Sequence, residues 1–178
     1  MAGIRGKGSS YLANTTGKNL DDFIVRPAVK ADAFAIGRLW EKLVAYHHEL
    51  DPNLPQASQD GSAFYCQHIQ AQLENPYSHV LVAEYDQQVI GYVFGVIIHE
   101  MPEMFLQDPG GFLADIFIEE QYRGYGIGRQ LVLALQDWFK SRGVSHMEWY
   151  VATQNIAARA FWQVIGGDEV MIRMQVRL

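Results

Sequence analysis

The chain has 178 residues, of which 49% are apolar and 12% aromatic, and a formal net charge of -6. This is one domain's worth of chain with enough apolar side chains for a core, which excludes a disordered protein. The negative charge argues against nucleic acid or anionic lipid as a partner, and no apolar run approaches the ~20 residues that a membrane-spanning helix needs.

Residues 1–21 are rich in Gly, Ser, Asn and Thr, hold no apolar run of the secretory-leader kind, and read as a flexible tail. Cys66 is the only cysteine, so no intrachain disulfide forms. Together these features predict a cytoplasmic protein. Residues 22–28, DFIVRPA, predict a short strand stopped by Pro27. Asp32 is the expected N-cap of a helix to about His48, with Phe34, Ile36, Leu39, Trp40, Leu43 and Val44 as its apolar stripe. A second helix is expected from about Gln59 to Leu73, ahead of Asn75-Pro76.

SHVLVAEY (78–85) and QVIGYVFGVIIHE (88–100) read as antiparallel strands joined at DQQ. Residues 101–111 read as a loop and FLADIFI (112–118) as the next strand. A helix follows with Ile127, Leu131, Leu135, Trp138 and Phe139 on one face, ending near Gly143. SHMEWYVA (145–152) reads as a strand. Asn155 opens a last helix through Ile165, closed by Gly166-Gly167. Alternation of Val170, Ile172, Met174, Val176 and Leu178 predicts a terminal, half-buried strand. Its edge is a surface that a second copy can pair with, so a homodimer is an expectation. The order β-α-α-β-β-β-α-β-α-β is that of a single-domain α/β fold.

The segment RGYGIGRQ (123–130) places Gly124, Gly126 and Gly128 between a strand and a helix. Free amides at a helix N-terminus attract anions, and glycines let an anion approach without Cβ contact. Arg123 and Arg129 add charge. A plain turn is the alternative, but three alternating glycines beside an Arg favour phosphate. A P-loop needs Lys-Ser/Thr after its last glycine, and here Arg129-Gln130 follows Gly128. A dinucleotide site needs G-x-G-x-x-G, whereas the spacing here is G-x-G-x-G.

Arg123-x-x-Gly126-x-Gly128, after an apolar strand and opening a helix, resembles the acyl-CoA signature of the GNAT superfamily of N-acetyltransferases. NIAARAFWQVIGG (155–167) is similar to that family's later motif. The resemblance covers residues 22–178 as one acetyltransferase domain. It implies a mixed, mostly antiparallel central sheet flanked by helices, with acetyl-CoA as co-substrate. It also implies that Arg123, Gly124, Tyr125, Gly126, Ile127, Gly128 and Arg129 hold the pyrophosphate. Ile116, Phe117 and Ile118 would pair with the pantetheine arm, and an amide near Phe117 would stabilise the oxyanion. Asn155 would touch the cofactor or cap its helix.

One position departs from the family pattern. The second aromatic of the pair is usually a Tyr that protonates the leaving sulfur, and here it is Trp162. A thiol pKa of ~8.5 makes expulsion of free thiolate cost only about 2 kcal/mol near neutral pH, and Tyr150 or water can supply the proton. An alkylamine of pKa ~10.4 must lose a proton, at roughly 4 kcal/mol, before it attacks. Candidates for the base are Asp115, Glu100, Glu148 and His99. Asp115 stands out because an acid inside FLADIFI is costly to bury unpartnered. Tyr46, His47, His48, Asp51 and Asp115 are candidates for an acceptor pocket, with residues 99–105 as its other wall. No metal-ligand spacing is present. The expected function is acetyl transfer to a small primary amine; the alternatives are an acyl-CoA sensor without turnover and acylation of a protein N-terminus or lysine.

Overall fold

The computed structural model describes residues 22–98 and 109–176. A five-stranded sheet in the order β1-β2-β3-β4-β5 forms the centre. Its strands are β1 (Ile24–Pro27), β2 (Ser78–Tyr85), β3 (Gln88–Ile98), β4 (Gly110–Ile118) and β5 (His146–Glu148). The first four run antiparallel to their neighbours, and β5 joins β4 in parallel. The β2–β3 turn is two residues long, Asp86 and Gln87, both at positive φ (49° and 59°). That backbone matches the twist of the flanking strands.

Each face of the sheet buries its own core. Helices α1 (Ala33–Leu50) and α2 (Gly61–Gln72) cover one face. There Ile36, Leu39, Leu43 and Ile69 meet Val80, Val82, Tyr92, Phe94 and Phe117. Helices α3 (Ile127–Ser141) and α4 (Ile156–Val164) cover the other. Ile127, Leu131, Leu135 and Phe139 of α3 pack there with Leu81, Val93, Leu113 and Trp162. Alternation along each strand produces this division, because successive residues face opposite sides.

Several expectations are corrected. Phe34 is exposed, and Ala33 and Gly37 take the buried positions at the start of α1. Asp32 does not cap α1. Its carboxylate turns back to accept from the Val29 amide (2.8 Å) and to pair with the Arg26 guanidinium (2.7 and 2.9 Å). β4 starts at Gly110 rather than 112, because Gly110 and Gly111 still pair with Ile98 and Ile97. The strand expected over 145–152 is confined to His146–Glu148. Residues 170–176 form no strand, and Val170, Ile172, Met174 and Val176 are all exposed. β5, the edge such a strand would join, is 3 residues long and offers few ladder bonds. The strand behind the expected homodimer is therefore missing from the described residues. The expectations for residues 1–21, His99, Glu100 and the following loop up to residue 108 lie outside the described residues.

Arg26 also pairs with Glu84 of β2 (2.8 and 2.5 Å), so one guanidinium ties β1, β2 and the start of α1 together. The hydrogen bond from Arg26 holds the Asp32 carboxyl below its ordinary value, with the Val29 amide assisting. A depressed folded-state pKa contributes stability above the unfolded pKa, and that stability is lost as pH falls through the folded value. Asp32→Asn is expected to cost about 1–3 kcal/mol at pH 7. Urea melts of both proteins check this: the gap between them should narrow below about pH 4, where the carboxyl of the unfolded wild-type chain begins to protonate, and close as pH falls through the lower folded value.

Candidate active site

β4 and β5 pair only at Gly110–His146, Gly111–Met147 and Phe112–Glu148. Beyond these pairs the chains part. Trp149 turns onto Trp162 of α4, with ring centroids 4.4 Å apart, and residues 149–152 leave the ladder. The gap opens into a cavity of about 530 Å³. Its walls are residues 113–118 of β4, residues 149–152, one face of α4, the glycine loop, and Leu43, Tyr46 and His47 of α1.

At one end lies the glycine loop. Gly124 (φ 83°) and Gly126 (φ 82°) adopt the left-handed region that side chains disfavour. Gly128 has ordinary φ but stands close to its neighbours: a Cβ there would lie 3.3 Å from Ile118 and 3.6 Å from Phe161. The first backbone bond of α3 runs from the Gln130 amide to the Gly126 carbonyl (3.0 Å). Among the described residues, the amides from Gly124 to Arg129 donate to no protein group. Unpaired amides at a helix mouth form an anion cradle. Gly124, Gly126, Ile127, Gly128 and Arg129 line the cavity, and Tyr125 does not.

The side chain of Arg123 has a second task. Its Nε donates to the Ile118 carbonyl (3.0 Å), and its guanidinium lies over the rings of Tyr46 (5.4 Å) and Phe117 (5.3 Å). It thereby ties the end of β4 to α1. Lys42 pairs with Glu119 beside it and joins the same two elements.

Asn155 is buried, lines the cavity, and its Oδ1 caps α4 by accepting from the Ala158 amide (3.0 Å). Trp162 is 6% exposed and wedged between Trp149 and Phe161, so it serves the wall and carries no acid. Tyr150 is 76% exposed and reaches the cavity with its ring edge-on to Phe112 (5.4 Å).

Asp115 is aimed by a bulge. Phe94 pairs with Asp115 and Gly95 with Leu113, which leaves Ala114 as an extra residue in β4. Strict alternation would put Asp115 on the face opposite Ala114. The bulge puts both toward α1 and α2: Ala114 packs in that core, and Asp115 Oδ2 accepts from the Tyr65 hydroxyl (2.6 Å). Burial lifts the Asp115 pKa, and the Tyr65 bond and the charges of His47 and His68 pull it back in part. Burial lowers the pKa of His47, and the Asp115 charge opposes that. Burial pushes Tyr65 and Tyr92 far above the ordinary phenol value, so both stay neutral.

The site therefore gathers Tyr46, His47, Asp115, Ile116, Phe117, Ile118, Tyr150, Asn155, Trp162 and the loop. It does not gather three other candidates. His48 bonds to the Leu54 carbonyl (3.0 Å), and Asp51 holds Asn53 (2.8 and 2.9 Å), so both shape the loop after α1. Glu148 is exposed beside His146 at 4.0 Å. Sequence reasoning missed Tyr65, His68 and Tyr92. The spacing of Tyr65 and His68 on α2, three apart and so on one helix face, was the available signal. Among the described residues no group of His, Cys, Asp and Glu is placed to hold a metal ion, and no helix is long and apolar enough to cross a membrane.

Residues 41–166 match the Acetyltransferase (GNAT) family. The chain belongs to that family. It is 28% identical over 107 residues to the uncharacterized N-acetyltransferase YycN of Bacillus subtilis, an alignment covering 60% of this chain and 65% of that protein. In fold it is similar to a mutant of the BH1408 protein from Bacillus halodurans, with a TM-score of 0.79 at 22% identity, covering 87% of this chain and 99% of that one. It is also similar to the aminoglycoside N-acetyltransferase AAC(6')-Iy in complex with CoA, with a TM-score of 0.68 at 20% identity, covering 88% and 94%. These solved structures share the α/β architecture and the mixed sheet flanked by helices.

The charge of Asp115 acting on His47 has a spectroscopic consequence. His47 should titrate below the ordinary ~6.5 of a free imidazole. Asp115→Asn removes the charge that holds its pKa up, so the midpoint should fall further. NMR titration of the His47 ring protons checks both.

Proposed function

We propose that this chain is an acetyl-CoA-dependent N-acetyltransferase that moves an acetyl group to a primary amine of a small molecule by direct attack in a ternary complex. The observation that carries the reading is one continuous cavity with unpaired amides, Gly124 to Arg129, at one end and a half-buried carboxylate, Asp115, along its wall. The first suits a diphosphate and the second an amine. The fold's similarity to a CoA-bound aminoglycoside acetyltransferase supports both ends of this assignment.

In this reading the loop amides hold the pyrophosphate and the free edge of Ile116–Ile118 pairs with the pantetheine arm. The acceptor binds between Asp115, Tyr46 and His47. Asp115 takes a proton from the ammonium, and a carboxylate whose pKa burial has raised is a stronger base than a free one. The amine nitrogen then attacks the thioester carbon. An amide hydrogen near Phe117 meets the developing oxyanion. The new C–N bond forms, the C–S bond breaks, and the second proton leaving the nitrogen passes to the thiolate through Tyr150 or water. Trp162 shapes the wall and transfers no proton.

The buried Trp162 also motivates a second reading, an acyl-CoA sensor without turnover, and the third is acylation of a protein amine. Thiol release from acetyl-CoA separates them. Small primary amines should give free thiol in this assay. Tight CoA binding with no thiol from any acceptor supports the sensor, and release with peptides alone supports the protein substrate.

Two variants test the assignment of the cavity's ends. Gly126→Val is expected to cost about 1–2 kcal/mol of stability through its left-handed backbone and to weaken CoA binding at least tenfold by calorimetry. Unchanged CoA affinity in the folded variant refutes the loop assignment. Asp115→Asn is expected to keep CoA affinity and lower kcat/KM by about a hundred- to ten-thousand-fold.

A further inference from the structure

We propose that Tyr65 is the positioning residue of the acceptor-side base: its hydroxyl fixes one oxygen of Asp115 and leaves the other for the amine. This rests on the reading of Asp115 as the base. Tyr65 Oη lies 2.6 Å from Asp115 Oδ2, and no other hydrogen bond to that carboxylate is made among the described residues. Tyr65 is absent from the cavity wall, so it acts through Asp115 rather than on substrate.

The ring that carries the hydroxyl is held on several sides. It stacks on Trp40 of α1 at 4.8 Å and 9°. It meets Tyr92 of β3 edge-on at 6.4 Å and His68 at 5.9 Å. A tyrosine has two side-chain torsions, and this packing fixes both, so little freedom remains to lose when the bond forms. The bulge at Ala114 turns Asp115 toward this ring from the opposite side. Two separate elements thus converge on one short bond. Tyr92, fully buried and edge-on to Tyr65, makes no hydrogen bond to the carboxylate among the described residues.

The groups facing Asp115 are Tyr65 and His68 from α2, His47 from α1 and Tyr92 from β3. Donation from Tyr65 favours the ionised carboxylate, as do the two imidazoles when charged, while burial opposes it. Removing the donor leaves burial less opposed, so the Asp115 pKa should rise further. The base is then protonated over a wider range.

The test is the pH profile of kcat/KM for Tyr65→Phe, which keeps the ring. Its acid limb should move about one pH unit upward, so that activity at a given pH on that limb falls roughly tenfold and converges on wild type above it. CoA affinity and melting temperature should stay near wild type. Adding Tyr65→Phe to Asp115→Asn should change nothing more. An unmoved acid limb in a folded Tyr65→Phe protein, with Asp115→Asn impaired, overturns the role of Tyr65 and leaves the base intact. A wild-type profile in Asp115→Asn overturns the base itself. Should Tyr65→Phe fail to fold, 3-fluorotyrosine at position 65 alone keeps the shape and strengthens the donor. It should move the limb downward, and a limb that stays or rises overturns the proposal.

Discussion

Parallel pairing between β4 and β5 ends at Phe112 and Glu148, and past that point two backbone edges face each other with no ladder bonds between them. Unpaired main chain is unfavourable away from water, so a gap of this kind persists only if both sides are held elsewhere. β4 is held by β3, whose pairing continues to Ile118. The other side is held by Trp149, which gives up the sheet for Trp162. The aromatic that replaces the usual tyrosine therefore has a mechanical task. It anchors the wall that keeps the slit open.

The sheet delivers two chemistries to this slit from its two faces. The glycine loop leaves β4 toward α3, on one side, and presents amides. The bulge at Ala114 sends Asp115 to the other side, under α1 and α2. One strand thus leads into a loop of unpaired amides at its end and carries a half-buried carboxylate at its middle, separated by Ile116 and Phe117. Arg123 bridges the two sides, since its guanidinium rests on Tyr46 and Phe117 while its Nε holds the Ile118 carbonyl. Its cationic side chain, which the sequence pattern places beside a phosphate, is occupied in tying helix to strand.

Local pattern revealed most of the elements. The 3.6-residue stripe of α3, the alternation in β2 and β3, and the glycines at 124, 126 and 128 each depend on neighbours in sequence, and each was legible. Asn155 has the residue type and place of a helix cap or a cofactor contact, and it caps α4. What stayed hidden depended on distant partners. The bulge in β4 arises from register against β3, and no local signal in FLADIFI marks it. Tyr65 meets Asp115 across 50 positions. Asp32 has the residue type and place of a helix cap, yet Arg26 competes for its carboxylate and wins with two charged bonds. The alternation at 170–176 is a sound strand pattern, but a strand needs an edge to join, and β5 provides little of one.

The thinness of β5 also divides the molecule mechanically. β1 to β4 form a meander of long, sequence-adjacent antiparallel pairs, whereas the wall carrying Trp149, Tyr150 and Asn155 joins the sheet through a single three-pair ladder. Such a region opens at lower free energy than the body it leans on, and its amides exchange with solvent first. A ligand lodged in the slit touches both parts. Occupancy would raise protection on the weakly attached wall far more than in the meander, so the molecule becomes uniform in rigidity only when loaded.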